Sequence, residues 1–161
     1  METKAETNGL KHLGIISTNQ IAEWMNSIHC LRPMVILLKH KLSEKGLNET
    51  YFGGINTYSL MVMVVSYILD RNLQESKTIS DVFEKILGFY AYDFDAKKYA
   101  IDLRNYGVAG KRIFTEKSDE GEGSKASSEL EIRDPLNDGK VMTRNCYKFD
   151  QIRGIMREIL E

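Results

Sequence analysis

The chain has 161 residues, 42% of them hydrophobic, with 22 basic against 23 acidic side chains and a net charge of −1. That is enough chain to bury one core. The near-neutral balance excludes a global field that would recruit nucleic acid or a membrane surface, so any anion site must be local.

Cys30 and Cys146 lie far apart and have no histidine cluster beside them, which argues against zinc and for two buried thiols in a reducing compartment. The start, METKAETNGLKH, has no apolar segment of the secretory kind, and the longest apolar run, Leu60 to Val65, is too short to span a bilayer. A soluble intracellular protein is expected.

In chain order, residues 1–12 are polar and read as a frayed end. Ile15, Ile21, Ala22 and Met25 recur at helical spacing around a cap-like Ser17-Thr18-Asn19. LRPMVILLKHKLSEKG predicts a buried helix, with Pro33 in its first turn and Gly46 just past its end. Gly53-Gly54 form a loop, and Thr57-Tyr58-Ser59 opens a second apolar helix running to about Arg71. Thr78-Ile79-Ser80-Asp81 matches a capping box ahead of a third helix carrying Val82, Phe83, Ile86, Leu87, Phe89 and Tyr90.

Tyr99 to Leu103 alternates like a strand. Residues 117–129 are rich in Gly, Ser and charge, and read as a flexible insert. A short strand then runs into a turn of Pro135, Asn137, Asp138 and Gly139. The last helix places Phe149, Ile152, Ile155, Met156, Ile159 and Leu160 on one face, with Asp150 at its start. The expected fold is mainly α with a few short strands.

Few residues suggest chemistry. Asp93-Phe94-Asp95 is a D-x-D that on a strand would aim both carboxylates at a metal. It follows an aromatic helix end and has no third carboxylate, so a solvated turn is expected instead. Gly123-Ser124 lies in the insert and cannot form a rigid phosphate-gripping turn. His12, His29 and His40 have no nucleophile at a suggestive spacing. Lys39, on or near the face of Val35, Leu38 and Leu42, either snorkels to water or points at an anion. Tyr58 either packs or meets a ligand beside the diglycine loop, and Thr57 either caps the helix or turns its hydroxyl to a phosphate.

LRPMVILLKHKLSEKGLNETYFGGINTYSLMVMVVSYIL resembles the central domain of the noncanonical poly(A) and poly(U) polymerases, template-independent RNA nucleotidyltransferases of the DNA polymerase β superfamily. The family pattern is an L-(R/K)-P apolar run ending in Lys, then L-N-E, then G-G-x-S-S-Y-x-L. IRDPLNDGKVMTRNCYKFDQI is similar to the family's nucleotide recognition motif, and FEKILGFYAYDFDAKKYAIDL to its aromatic helix and following strand. The poly(A) branch that works with nuclear RNA-surveillance complexes matches best.

The resemblance covers about residues 8–161 and implies a helical central domain of the poly(A) polymerase/oligoadenylate synthetase substrate-binding type. It implies that Tyr58 stacks on the base of the incoming nucleotide, that Thr57 and Lys39 contact its triphosphate, and that Asp134, Asn137, Asp138 and Gly139 shape the base-reading loop. Where the family has Asn-Asn, this chain has Lys140-Val141, and a lysine can donate to a base but not accept. ATP is the nucleotide implied by overall similarity.

The resemblance also implies a separate catalytic domain, absent from this chain, with a G-S turn and three aspartates holding Mg²⁺ or Mn²⁺. The chain alone is then expected to be inactive and to bind no metal and little ATP. Its partners would be that domain, on the same or another chain, an RNA 3′ end and RNA-surveillance proteins, in the nucleus rather than the cytoplasm. A reading from another class is a standalone, non-catalytic interaction scaffold of the same fold.

Overall fold

The computed structural model describes residues 19–20, 22–117 and 128–161. After helical turns at 22–27 come helix α1 (Leu31–Ser43), a 3₁₀ turn (Thr50–Phe52), α2 (Thr57–Asp70) and α3 (Ile79–Gly88), which runs on into a π-helical turn (Phe89–Asp93). Strand β1 (Tyr99–Asp102), a 3₁₀ turn (Leu103–Asn105), β2 (Phe114–Glu116), β3 (Ile132–Arg133) and helix α4 (Phe149–Leu160) complete the order. The fold is mainly α with one small sheet.

Helix α2 is the axis of the core. Every residue from Ser59 to Ile68 is buried, as a helix apolar on all sides requires. Helix α1 packs on it with Leu31, Met34, Val35, Leu38 and Leu42, and Gly46 (φ 67°) ends α1. There the Leu47 N–H bonds to the Leu42 carbonyl at 2.9 Å and the Gly46 N–H to that of Ser43 at 3.1 Å, which is the Schellman pattern.

The π turn has a packing reason. Its five-residue bond, Phe94 N–H to the Phe89 carbonyl at 2.8 Å, turns Tyr90 and Phe94 inward together. They join Phe89 and Phe114 in a cluster with ring centroids 5.0–6.4 Å apart. The Tyr90 hydroxyl donates to the Met63 carbonyl of α2, and Arg153 and Arg157 of α4 donate to the Ala91 carbonyl at 3.2 and 3.0 Å.

The sheet order is β2-β1-β3, with β2 antiparallel and β3 parallel to β1; Ile101 sits opposite Phe114 on one side and Ile132 on the other. The expected alternation in β1 gives way to continuous burial of Ala100, Ile101 and Asp102. Asp102 shares a face with Ala100 and is covered by Arg104 and Arg133.

Local details differ from expectation elsewhere. Asn56, rather than Thr57, caps α2, its side chain accepting the Ser59 N–H at 2.7 Å. Thr78 makes no side-chain cap, and the Asp81 carboxylate pairs with Lys85 at 3.2 Å. In the first helical turns Trp24 and Ile28 are buried while Ala22 is exposed; Asn19 is helical, and Ser17, Thr18, Ile15 and Ile21 lie outside the described residues. So do residues 1–12 and most of the 117–129 segment. Its ends are tied down: the Lys117 ammonium donates to the Ala96 and Glu129 carbonyls, and buried Ser128 donates to that of Cys146 at 2.8 Å.

Cys30 and Cys146 are buried free thiols, and burial pushes the Cys146 thiol up to about 12. No helix among the described residues is long and apolar enough to cross a membrane.

Candidate functional site

The diglycine loop is clamped on both sides. Gly54 donates to the Glu49 carbonyl and Ile55 to that of Leu47, each at 2.9 Å. A Cβ at Gly54 would land on the Leu47 carbonyl. Gly53 has φ 83°, its carbonyl accepts the Lys148 N–H at 3.0 Å, and a Cβ there would meet the Tyr147 ring at 2.5 Å. Glycine is therefore needed so that this loop can pass between the end of α1 and the start of α4.

The loop delivers the chain to the N-terminus of α2. The Thr57 and Tyr58 N–H groups take no backbone acceptor among the described residues, as expected in a first helical turn. Thr57 is exposed, so its hydroxyl is available to a ligand. Tyr58 is half-buried and its hydroxyl donates to Asp134 Oδ1 at 3.2 Å. Burial, then the Asp134 charge and hydrogen bond, raise the Tyr58 pKa far above the usual phenol range, so it remains a donor.

Asp134 opens a closed turn. Its Oδ1 also accepts the Leu136 N–H at 3.0 Å, its own N–H donates to the Lys140 carbonyl at 2.8 Å, and its carbonyl accepts the Gly139 N–H at 3.1 Å. Within it, the Lys140 N–H reaches the Asn137 carbonyl at 3.1 Å across Asp138 (φ 52°) and Gly139 (φ 73°). Two successive positive φ values mark a type I′ turn, for which Asp-Gly is a preferred pair. Arg133 and Val141 bridge at its base. The side chains of Asn137, Asp138 and Lys140 are exposed at the tip.

The structure thus brings Tyr58 to Asp134, across 76 positions of sequence, with Thr57 beside one and Asn137, Asp138, Gly139 and Lys140 continuing from the other. Lys39 is not joined to them by any contact. It flanks the buried stripe of α1, exposed, with no hydrogen bond or ion pair among the described residues.

Asp93 ends the π turn and Asp95 lies just beyond it, both exposed and neither on a strand, and Asp95 Oδ1 accepts the Lys97 N–H at 3.0 Å. His40 pairs with Glu44 at 3.2 Å on the outside of α1, while His12 and Gly123-Ser124 lie outside the described residues. Among the described residues no three His, Cys, Asp or Glu side chains converge as metal ligands.

One cluster was missed by sequence reasoning. Buried Asp102 holds Arg104 with both carboxylate oxygens (Nε to Oδ1 2.9 Å, Nη2 to Oδ2 2.8 Å) and Arg133 at 3.4 Å. The Arg104 hydrogen bond leads in pulling the Asp102 carboxyl below its usual range. The Arg104 guanidinium fills the space where a Cβ on Gly139 would stand, so the cluster supports the 134–140 turn from below. The only sequence signals were an Arg directly before Asp134 and another just after β1.

No family model matches the chain. It is 29% identical over 150 residues to an inactive non-canonical poly(A) RNA polymerase protein, Trf4-2, of Drosophila melanogaster, covering 89% of this chain and 36% of that protein. The polymerase core of TRAMP, an RNA surveillance complex, superposes with a TM-score of 0.71 at 19% identity, over 87% of this chain and 45% of that one. The RNA terminal uridylyl transferase Cid1 gives 0.70 at 20% identity, over 92% and 55%.

The chain is thus similar over most of its length to noncanonical poly(A) RNA polymerases and shares the fold of solved poly(A) and poly(U) polymerases. It spans 17–36% of the length of the curated relatives that it matches over most of its own length. The segment that resembles the family's nucleotide recognition motif folds as the turn at Asp134–Lys140, and the segment that resembles its G-G-x-S-S-Y pattern as the clamped loop and the first turn of α2. At the departure from the family's Asn-Asn, the Lys140 backbone closes the turn while its side chain stays outside, and Val141 is half-buried at the bridge to Arg133.

Proposed function

We propose that this chain is the central domain of a template-independent RNA 3′-end nucleotidyltransferase, and that Tyr58, Thr57 and the 134–140 turn form its nucleotide-binding wall. The central domain spans about residues 8–161 and is of the poly(A) polymerase/oligoadenylate synthetase substrate-binding type. The observation that supports this is the Tyr58–Asp134 hydrogen bond. It fixes an aromatic ring at the junction of a helix N-terminus and an exposed polar turn. Those are the three surfaces that a base, a triphosphate and a base edge require.

The Tyr58 ring stacks on the base without regard to its identity, while Thr57, the free N–H groups of the α2 first turn and Lys39 face the triphosphate. Asn137, Asp138 and Lys140 read the base edge. Two divalent cations, Mg²⁺ or Mn²⁺, would be held by aspartates of a nucleotidyltransferase domain on the same or another polypeptide, and would supply activation of the RNA 3′ hydroxyl and charge stabilisation at the phosphorus. ATP is the preferred nucleotide, and the kinship with surveillance polymerases points to work with RNA-surveillance proteins in the nucleus.

The test is 3′-tailing of a labelled RNA by the native protein with each nucleotide in turn. ATP incorporation is expected, with a native mass well above 18.5 kDa. Preference for UTP would overturn the ATP assignment. A native mass of 18.5 kDa without tailing would favour the second reading, a non-catalytic scaffold, for which the relative named as inactive is the supporting observation.

A further inference from the structure

We propose that the cavity at the β2 side of the sheet is a binding site for single-stranded RNA, gripping its phosphodiester backbone through Lys111 and Arg112. The inference rests on the RNA-tailing reading above. The cavity, an open groove of about 810 Å³, is lined by residues of β1, β2 and the 105–112 loop, with Arg104 and Arg133 on its wall. Its lining carries four cations, Arg104, Lys111, Arg112 and Arg133, against two anions, Asp102 and Glu116. That local excess stands out on a chain whose net charge is −1.

The cations are not equivalent. Arg104 and Arg133 are engaged by buried Asp102 at 2.8 and 3.4 Å, and Glu116 faces Lys98 at 3.9 Å. Lys111 and Arg112 are exposed and make no ion pair among the described residues. The loop that carries them is ordered by its own bonds. Asn105 Nδ2 donates to the Arg112 carbonyl at 2.9 Å, the Val108 N–H to the Asn105 carbonyl at 3.1 Å, and the Lys111 N–H to the Val108 carbonyl at 3.1 Å. Two adjacent unpaired cations on a held loop suit a polyanion. The half-buried Tyr99 ring lies on the same wall, with the Lys98 ammonium over it at 5.4 Å from its centroid.

Position favours RNA over an acidic peptide. Arg104 lines the cavity and also packs under Gly139 of the base-reading turn. A strand whose 3′ end meets the nucleotide at Tyr58 and that turn must leave across neighbouring surface, and this cavity adjoins the turn through one shared side chain.

The experiment is fluorescence anisotropy of the 161-residue chain with a labelled single-stranded RNA of about 15 nucleotides, in two sequences, across a salt series. Wild type is expected to bind both sequences alike and to weaken with salt. The Lys111→Glu/Arg112→Glu double variant is expected to bind at least tenfold more weakly, with the salt slope smaller by about 1.4, the value for two lost contacts on a single strand. Lys111→Gln/Arg112→Gln should give the same direction with a smaller loss, and circular dichroism should show both variants folded.

No RNA binding by wild type, unchanged affinity in the folded variants, or equal competition by a poly-glutamate peptide would each overturn the proposal. The nucleotide reading is decided on Tyr58 in the tailing assay and this one on Lys111 and Arg112 in direct binding, so their failures are distinguishable.

Discussion

Tyr58 has one hydroxyl partner, Asp134, and an aromatic ring left half open. Those two features separate by mutation. Tyr58→Phe keeps the ring and loses a partly exposed bond to a carboxylate, so chemical denaturation should show a loss of about 1 kcal/mol. Asp102 offers a test by pH. Its carboxyl is held below the usual range by Arg104, so the unfolded chain binds more protons and stability rises with pH. The contribution is fully present above the unfolded value of about 4 and is lost as pH falls through the lower folded value. In Asp102→Asn, stability should drop at neutral pH and its acid limb should flatten; an unchanged acid limb would contradict this account.

At this scale the sequence was uneven. The motif residues around Tyr58 and Asp134 could be named from their pattern, whereas the bond between them could not, because 76 positions separate the partners. Asp102 was invisible as a charged core residue for the same reason, since its second arginine arrives from another strand.

Among the elements, the loops decide more than the helices. Gly54 faces backbone, the Leu47 carbonyl, whereas Gly139 faces the movable end of the Arg104 side chain. Gly54→Ala should therefore cost roughly 2–3 kcal/mol by overpacking. Gly139→Ala should cost roughly 1–2 kcal/mol, mainly for its positive φ. Comparing their denaturation midpoints checks the order, and the reverse order would show that the clamp on the diglycine loop is misassigned.

Helix positions were legible because α1 and α4 carry apolar residues at helical spacing, α2 is a long apolar run, and Gly46 closes α1 as its sequence suggests. The caps were less so. Asn56 and Thr57 are both good cap residues, and only the path of the loop from Gly54 decides between them. The π turn was hidden because the inward demand of Phe94 is set by Phe89, Tyr90 and Phe114 in three dimensions.

In the whole molecule, a buried α2 presents its N-terminus beside the 134–140 turn, the diglycine loop that leads to it is itself buried, and the large cavity lies at the sheet. The proposed nucleotide wall rests on one contact there, the Tyr58–Asp134 hydrogen bond. The most direct test compares 3′-tailing by the native protein with Tyr58→Ala and Asp93→Ala. Loss of base stacking, worth about 1–3 kcal/mol, should lower nucleotide use by roughly 5- to 150-fold in Tyr58→Ala. Asp93, exposed at the π turn, should tolerate alanine with activity intact. Unimpaired tailing by Tyr58→Ala, or lost tailing by a folded Asp93→Ala, would contradict the account.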